Sequence, residues 1–395
     1  MAISPTRQAR LRPTMALAMA LVMVLAGAAT LTGGAREAAA TVPEVTARQA
    51  FLVDLSTDTV LLDKNGEQRM APSSMTKMMT ARLVYAALAS HRLTLDTLLP
   101  VSARAAAMGG SRMFLKSGSM VRVEDLLRGL LVPSGNDAAV ALAEGVAGSE
   151  AAFVEMMNTE AEALGMTRTH FADASGWPDP NHYTTAHDLA LLAESLLQDY
   201  PQYYHYDSEA RISWNGVVQA NTNPLLQRDP GIDGIKTGHT EIGGYGLTAS
   251  GERDGRRLVL VVNGLPSKLT RAEEPTRLLD WGWREFQTYH LLSAGAVVDQ
   301  APVWMGRDAQ VPLVTAHEVA VTMPPDSRAG LHLVVRYQAP VAAPIHRGDV
   351  VGQLMIERPD APVERVDLLA GATVPEAGTV QAIGKKLSWL VEGAP

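Results

Sequence analysis

The 395-residue sequence contains no cysteine. Disulfide staples, thiolate metal sites and a cysteine nucleophile are therefore all excluded. The ten histidines are scattered without an H-x-x-x-H or similar pair, so no metal or other cofactor is expected. No block of Lys and Arg appears and the formal net charge is −8, which makes nucleic acid a poor partner. Beyond the first 40 positions there is no apolar run long enough to span a bilayer.

The first 40 residues read as a targeting segment rather than as fold. Arg7, Arg10 and Arg12 precede an apolar run from Met15 to Leu31, and Ala38-Ala39-Ala40 supplies the small residues of a cleavage site. An export signal over 1–40 is expected. The competing reading, an uncleaved membrane anchor, fits less well with a run of 17 residues followed by an A-x-A site. Loss of the segment removes four arginines and one glutamate, leaving a more acidic body large enough for two cores.

Along that body, "QAFLVDLSTDTVLLDKNGEQ" reads as a hairpin in which Phe51, Val53 and Leu55 alternate. From Pro72 to about Gln198, apolar residues recur at three and four spacings, as in "MTKMMTARLVYAAL" and "NDAAVALAEGVA", which predicts helices. "GYGLTASGERDGRRLVLVVNGL" is a pair of strands around an Asp254-Gly255 turn, and "RLLDWGWREFQ" returns to helix. The expected fold of residues 41–288 is thus α+β, an antiparallel sheet with a helical block. Valine-rich runs punctuated by Pro and Gly predict a small all-β domain over 289–376. In the tail, 377–395, Val380, Ile383, Leu387, Leu390 and Val391 share one helical stripe, with Lys385 and Lys386 off it. Such a helix either lies on a membrane surface or packs on the β-domain.

Three polar islands carry the chemistry. In "PSSMTKMMT", Ser74 and Lys77 are three apart and share a helical face, while Ser73 is paired at that spacing only with Thr76. Pro72 suits a first helical turn, so the pair is expected at a helix N-terminus. Serine is a weak nucleophile until a base takes its proton, and lysine is a base only where burial or nearby positive charge favours the neutral amine. The second island, "VPSGNDAAVALAE", presents Ser134 and Asn136 in an interhelical loop, where a hydroxyl and an amide can relay a proton and hold a peptide group. The third, "GIKTGHTEIGGYGLTAS", places Lys236, Thr237 and Gly238 before a strand, where cation, hydroxyl and backbone N–H can receive a carboxylate. Singly, each has an ordinary reading: a solvated lysine, helix capping, a polar turn.

Taken together, Ser-x-x-Lys, Ser-x-Asn and Lys-Thr-Gly follow in order, 60 and 102 residues apart, on a helix start, an interhelical loop and a strand. With "GSRMFLKSGS", "DLLRGLLVPSGNDAAVALAE", "WNGVVQANTNPLL" and "RLLDWGWREF", most of residues 45–290 resembles the D-alanyl-D-alanine carboxypeptidases, the low-molecular-mass penicillin-binding proteins. Trp177 departs from the leucine more usual in that family, a difference to which no role is assigned. The resemblance implies a β-lactamase/transpeptidase-like fold and a serine carboxypeptidase that removes the terminal D-alanine of peptidoglycan stem peptides, with roles in wall maturation and cell shape. Ser74 would be the nucleophile, Lys77 its base and Ser134 a proton relay. Asn136, Lys236, Thr237, Gly238 and His239 would bind substrate, the last through its backbone N–H in the oxyanion hole. Arg271 could assist a carboxylate, although a surface ion pair is the expected role. β-Lactams would be covalent inhibitors, and the protein would be periplasmic or peripheral on the membrane.

Three rivals remain at this point. A class A β-lactamase would need a glutamate in the stretch corresponding to "FADASGWPDPNHYTTAHD", which has none. A D,D-endopeptidase would share every motif, and a silent wall-binding protein would use the islands only as a cradle.

Overall fold

A computed structural model describes residues 9–10, 42–359, 361–379 and 381–384. Apart from 9–10 the expected export signal lies outside the described residues, as do Val380 and positions 385–395 of the tail. The contacts divide the described body into a unit of Val42–Glu285 and a unit beginning at Phe286.

The first unit is built on an antiparallel sheet of β1 (Gln49–Asp54), β2 (Thr59–Lys64), β3 (Ile232–Thr240), β4 (Gly244–Arg253) and β5 (Arg256–Leu265), in the spatial order β2-β1-β5-β4-β3. The Asp254-Gly255 turn has φ of +51° and +76°, the paired left-handed residues of a tight hairpin. Alternation in β1 predicts one apolar face, yet all six of its residues are buried. Two helices account for this. The helix α6 (Lys268–Glu285) brings Gly282 against Leu52, Leu61 and Leu258, while His187 of α5 (Ala186–Asp199) packs edge-on to Phe51 on the other face.

The helical block also contains α1 (Lys77–Ala89), α2 (Val123–Leu131), α3 (Asn136–Ala147) and α4 (Glu150–Ala163). Side-chain caps fix two starts: Ser149 accepts from the Ala152 N–H and Thr185 from the Asp188 N–H. In α1, Lys77 to Tyr85, Ala87 and Leu88 are all buried, so this helix runs through the interior. That position is what takes Lys77 out of water.

In the second unit, β6 (Gln287–Leu292), β7 (Val297–Trp304), β8 (Gln310–Thr315), β9 (Val319–Met323), β10 (His332–Tyr337), β11 (Val350–Arg358) and β12 (Ala361–Ala370) carry the chain. Neighbours run β10-β11-β12-β8-β7, antiparallel throughout, and β6 pairs with β9. Val311, Leu313, Leu354, Ile356 and Leu368 form its core, separate from that of the first unit.

Candidate active site

Ser74 sits in a 3-10 turn, Ser73–Thr76, that feeds α1. Pro72 predicts that the helix itself starts there, but Ser73 has φ +51°, and this left-handed residue delays the α-helix to Lys77. The turn also separates the two serines. Ser73 Oγ donates to Thr240 Oγ1 at 3.2 Å, whereas Ser74 Oγ lies 2.9 Å from Lys77 Nζ; both serines line the cleft.

Lys77 is fully buried, and its Nζ has three partners. Besides Ser74 they are Asn136 Oδ1 at 2.7 Å and the Ser175 carbonyl at 2.6 Å. Asn136 is held in this orientation because its Nδ2 donates to the Gly109 carbonyl at 2.9 Å. A neutral amine has two N–H donors and one lone pair. Two oxygens that can only accept take both N–H groups, so the lone pair is directed at the Ser74 hydroxyl. Burial brings the amine from 10.5 to about 7, against the opposing pull of Asp173 and Asp137.

Across the cleft stands a second pair. Lys236 Nζ donates to Ser134 Oγ at 2.9 Å and to the Thr237 carbonyl at 3.2 Å. Burial, then the charges of Lys77 and Arg271, hold Lys236 well below the ordinary lysine range. Lys236, Thr237 and Gly238 lie inside β3 rather than ahead of it, with Thr237 Oγ1 bonded to Thr222 Oγ1 at 2.7 Å. A Cβ on Gly238 would lie 2.9 Å from the Pro72 carbonyl, so the strand passes the nucleophile turn at a distance only glycine permits. His239 is exposed and its ring packs on Tyr245 at 4.0 Å between centroids. Ser74, Ser134, Asn136, Thr237, Gly238 and His239 all line one cleft of about 1240 Å³.

One expectation is corrected. Arg271 forms no surface ion pair: it is 9% exposed, and among the described residues no carboxylate acts on it. The first turn of α6 carries it to the ends of β3 and β4, where Nη1 reaches the Gly238 carbonyl at 3.4 Å and the guanidinium lies over Tyr245. Its Nε is buried and has no hydrogen-bond partner among the described residues. Burial lowers its affinity for a proton, and it lines the cleft as a cation free to meet an anion. Thr222, Trp177 and His182 line the same cleft, though no motif singled out their part in it.

A serine whose proton has a buried amine waiting for it, with a second hydroxyl–amine pair opposite and cations around a strand edge, is equipped for acyl transfer through a serine ester. That chemistry on this α+β layer structure defines the class of active-serine, penicillin-recognising peptidases. The D-alanyl-D-alanine carboxypeptidase family profile matches residues 36–267, and the profile of the penicillin-binding protein 5 C-terminal domain matches 286–376. The chain is 38% identical over 345 residues to the D-alanyl-D-alanine carboxypeptidase DacD of Escherichia coli K12, covering 85% of this chain and 88% of the relative. Penicillin-binding protein 5 of Haemophilus influenzae superposes with a TM-score of 0.78 at 33% identity, covering 85% of this chain and 99% of that one. Penicillin-binding protein D2 of Listeria monocytogenes, solved in its ampicillin-bound form, gives 0.57 at 28% identity, over 62% of this chain and all of that one. The chain belongs to the D-alanyl-D-alanine carboxypeptidase family, serine-type peptidases acting on peptidoglycan.

Proposed function

We propose that Ser74 attacks the carbonyl joining the last two D-alanines of a stem pentapeptide while the Lys77 lone pair takes its proton. The backbone N–H groups of Ser74 and His239 hold the oxyanion, each such donor contributing about 3 kcal/mol. As the C–N bond breaks, Ser134 passes a proton to the departing D-alanine nitrogen and Lys236 keeps that end of the cleft electropositive. Lys236, Thr237 and Arg271 receive the terminal carboxylate, while Asn136 binds a substrate amide as well as orienting Lys77. Water then hydrolyses the acyl-enzyme.

The observation that carries this reading is the partner set of Lys77: two acceptor-only oxygens at 2.7 and 2.6 Å and the Ser74 hydroxyl at 2.9 Å. Intact mass after penicillin treatment tests it. Ser73→Ala protein should still gain the penicilloyl adduct and Ser74→Ala protein should not, whereas labelling of the Ser74 variant would sink the assignment. With no glutamate between residues 171 and 188 to activate a deacylating water, that adduct should persist. Free D-alanine from a pentapeptide supports a carboxypeptidase, and split cross-linked dimers with intact pentapeptide would point to an endopeptidase instead.

An exported, periplasmic body with its tail on the membrane surface follows from the basic and apolar lead-in and from the apolar stripe beside Lys385 and Lys386. Among the described residues no helix is long and apolar enough to cross a membrane. Membrane partition with and without residues 380–395 tests the tail: equal partition of the two forms removes its proposed role.

A further inference from the structure

Behind Lys77, a carboxylate and an imidazole outside the three islands form a continuous link to the nucleophile turn. Asp173 Oδ1 accepts from the N–H of Ser175 at 2.7 Å, Gly176 at 2.8 Å and Trp177 at 3.2 Å, and from Ser175 Oγ at 2.7 Å. Its other oxygen, Oδ2, lies 2.9 Å from His182 Nδ1. The second ring nitrogen, His182 Nε2, lies 2.9 Å from Thr76 Oγ1 in the nucleophile turn. His182 is buried and stands edge-on to Phe171, so its ring plane is fixed. One imidazole thus spans from the 173–177 loop to the turn that carries Ser74.

The loop and the turn are in direct contact. Gly176 has φ +81°, and an ideal Cβ there would fall 1.8 Å from the Ser73 carbonyl oxygen. From that seat the loop presents its Ser175 carbonyl to Lys77 Nζ, one of the two contacts that aim the lone pair. Nothing in the proposed reaction uses Asp173 or His182 themselves, yet Asp173 bonds the loop that carries that carbonyl and His182 joins Asp173 to the nucleophile turn.

We infer that Asp173 and His182 act together as a positioning pair for the Ser74–Lys77 couple, clamping the 173–177 loop onto the nucleophile turn so that the Ser175 carbonyl stays on Lys77. The inference rests on the reading of Lys77 as base. It adds an electrostatic consequence, because Asp173 also faces Lys77 as a charge. Burial works to raise Asp173, but its hydrogen bonds from His182 and Ser175, and the nearby His182, hold its carboxyl far below the usual range, so it is ionised in the working enzyme. Asp137, whose oxygens accept from the N–H groups of Met113, Leu115 and Ala138, is the other carboxylate acting on Lys77, and Lys236 is the second buried amine, on which the charge of Lys77 acts in turn. Both carboxylates favour the protonated amine and so oppose its burial.

The test is the rate of penicillin acylation against pH for the wild type, Asp173→Asn, Asp173→Ala and His182→Ala, with a melting temperature for each. Asparagine keeps an oxygen for the loop donors and removes the charge. Asp173→Asn is therefore expected to stay within about 5-fold of the wild-type plateau, while its acid limb moves about one unit to lower pH. Asp173→Ala and His182→Ala release the clamp and are expected to lose about 100-fold. A limb that stays in place in Asp173→Asn, together with wild-type plateaus in both folded alanine variants, overturns the inference. Should the alanine variants fail to fold, the position of the Asp173→Asn limb decides alone. A wild-type profile with no acid limb defeats Lys77 as base and the inference with it, a result distinct from a wild-type limb that the variants fail to move.

Discussion

Lys77 and Lys236 are two buried amines, each 2.9 Å from the hydroxyl of its own serine, Ser74 or Ser134, and both serines line one cleft. Among the described residues neither donates to a carboxylate. For each of them burial is the largest influence on the amine, and it favours the neutral form.

A pH dependence follows, with a definite sign. An ordinary lysine would be protonated throughout the neutral range, but Lys77 is brought down to about 7. Above that pH its lone pair is available to Ser74; below it, the pair is occupied by a proton. Acylation by penicillin should therefore level off above pH 7 and fall about tenfold for each unit below it. Lys77→Arg, which cannot deprotonate, should be inactive across the range. Stopped-flow acylation rates check both outcomes, and a rate that rises on acidification would contradict them.

Arg271 supplies the second prediction. Its guanidinium is buried beside the Gly238 carbonyl and has no carboxylate partner among the described residues, so a substrate carboxylate is the anion that would satisfy it. A charge-assisted contact of this kind contributes about 1.5–3 kcal/mol. Arg271→Gln should accordingly lower kcat/KM for a peptide ending in free D-alanine by about 10–150-fold. A peptide whose C-terminus is amidated should be processed equally poorly by both proteins. Equal losses on the two peptides would show that the residue acts on the fold and not on the carboxylate.

The sequence made some of this legible and hid the rest for physical reasons. Ser74 and Lys77 could be paired because their spacing is local, and the order of the islands linked residues far apart in the chain. Arg271 could not be placed that way. Its environment depends on how α6 packs beside β3 and β4, and nothing in "SKLTRAEE" encodes that. Asp173 and His182 were equally silent, since their link to Thr76 joins a loop to a turn about 100 residues earlier in the chain. In β1 the alternation was real but incomplete as a guide, because helices cover both faces. The start of α1 lies later than Pro72 implies for a related reason: Pro72 permits a helical turn, but contacts with β3 hold Ser73 at φ +51°.

The contact between Gly176 and Ser73 gives a third prediction. Alanine at 176 would require an unfavourable left-handed φ and would place its Cβ 1.8 Å from Ser73 O and 2.3 Å from Ser73 C. Gly176→Ala should lose about 2–4 kcal/mol of stability and most penicillin labelling. Gly148 is the control. It has φ +79° but nothing within 4 Å of the added carbon, so Gly148→Ala should lose only about 1 kcal/mol and label normally. Urea melts with parallel labelling measure both, and equal losses at the two sites would rule out the steric explanation.

Asp207 is a fully buried carboxylate with Oδ2 accepting from Tyr85 OH at 3.2 Å and Oδ1 without a hydrogen-bond partner among the described residues. Burial, opposed by the Tyr85 hydrogen bond and the Lys236 charge, moves it from 3.8 up to about 7. The unfolded chain gives up this proton near 3.8 while the folded protein keeps it to about 7, so the native state binds more protons between those values. The contribution of Asp207 is therefore greatest below pH 3.8 and is lost as pH rises toward 7. Asp207→Asn imitates the protonated carboxyl. It should match the wild type near pH 4 and exceed it near pH 8 by about 1–3 kcal/mol in urea melts. The gain should have a functional cost, because the Asp207 carboxylate favours the protonated form of Lys236. Removing it should weaken the grip on a terminal carboxylate, giving a several-fold higher KM in the more stable protein. A variant that is less stable than the wild type at pH 8 would mean that the ionised carboxylate, and not its protonated form, is what the fold was built to hold.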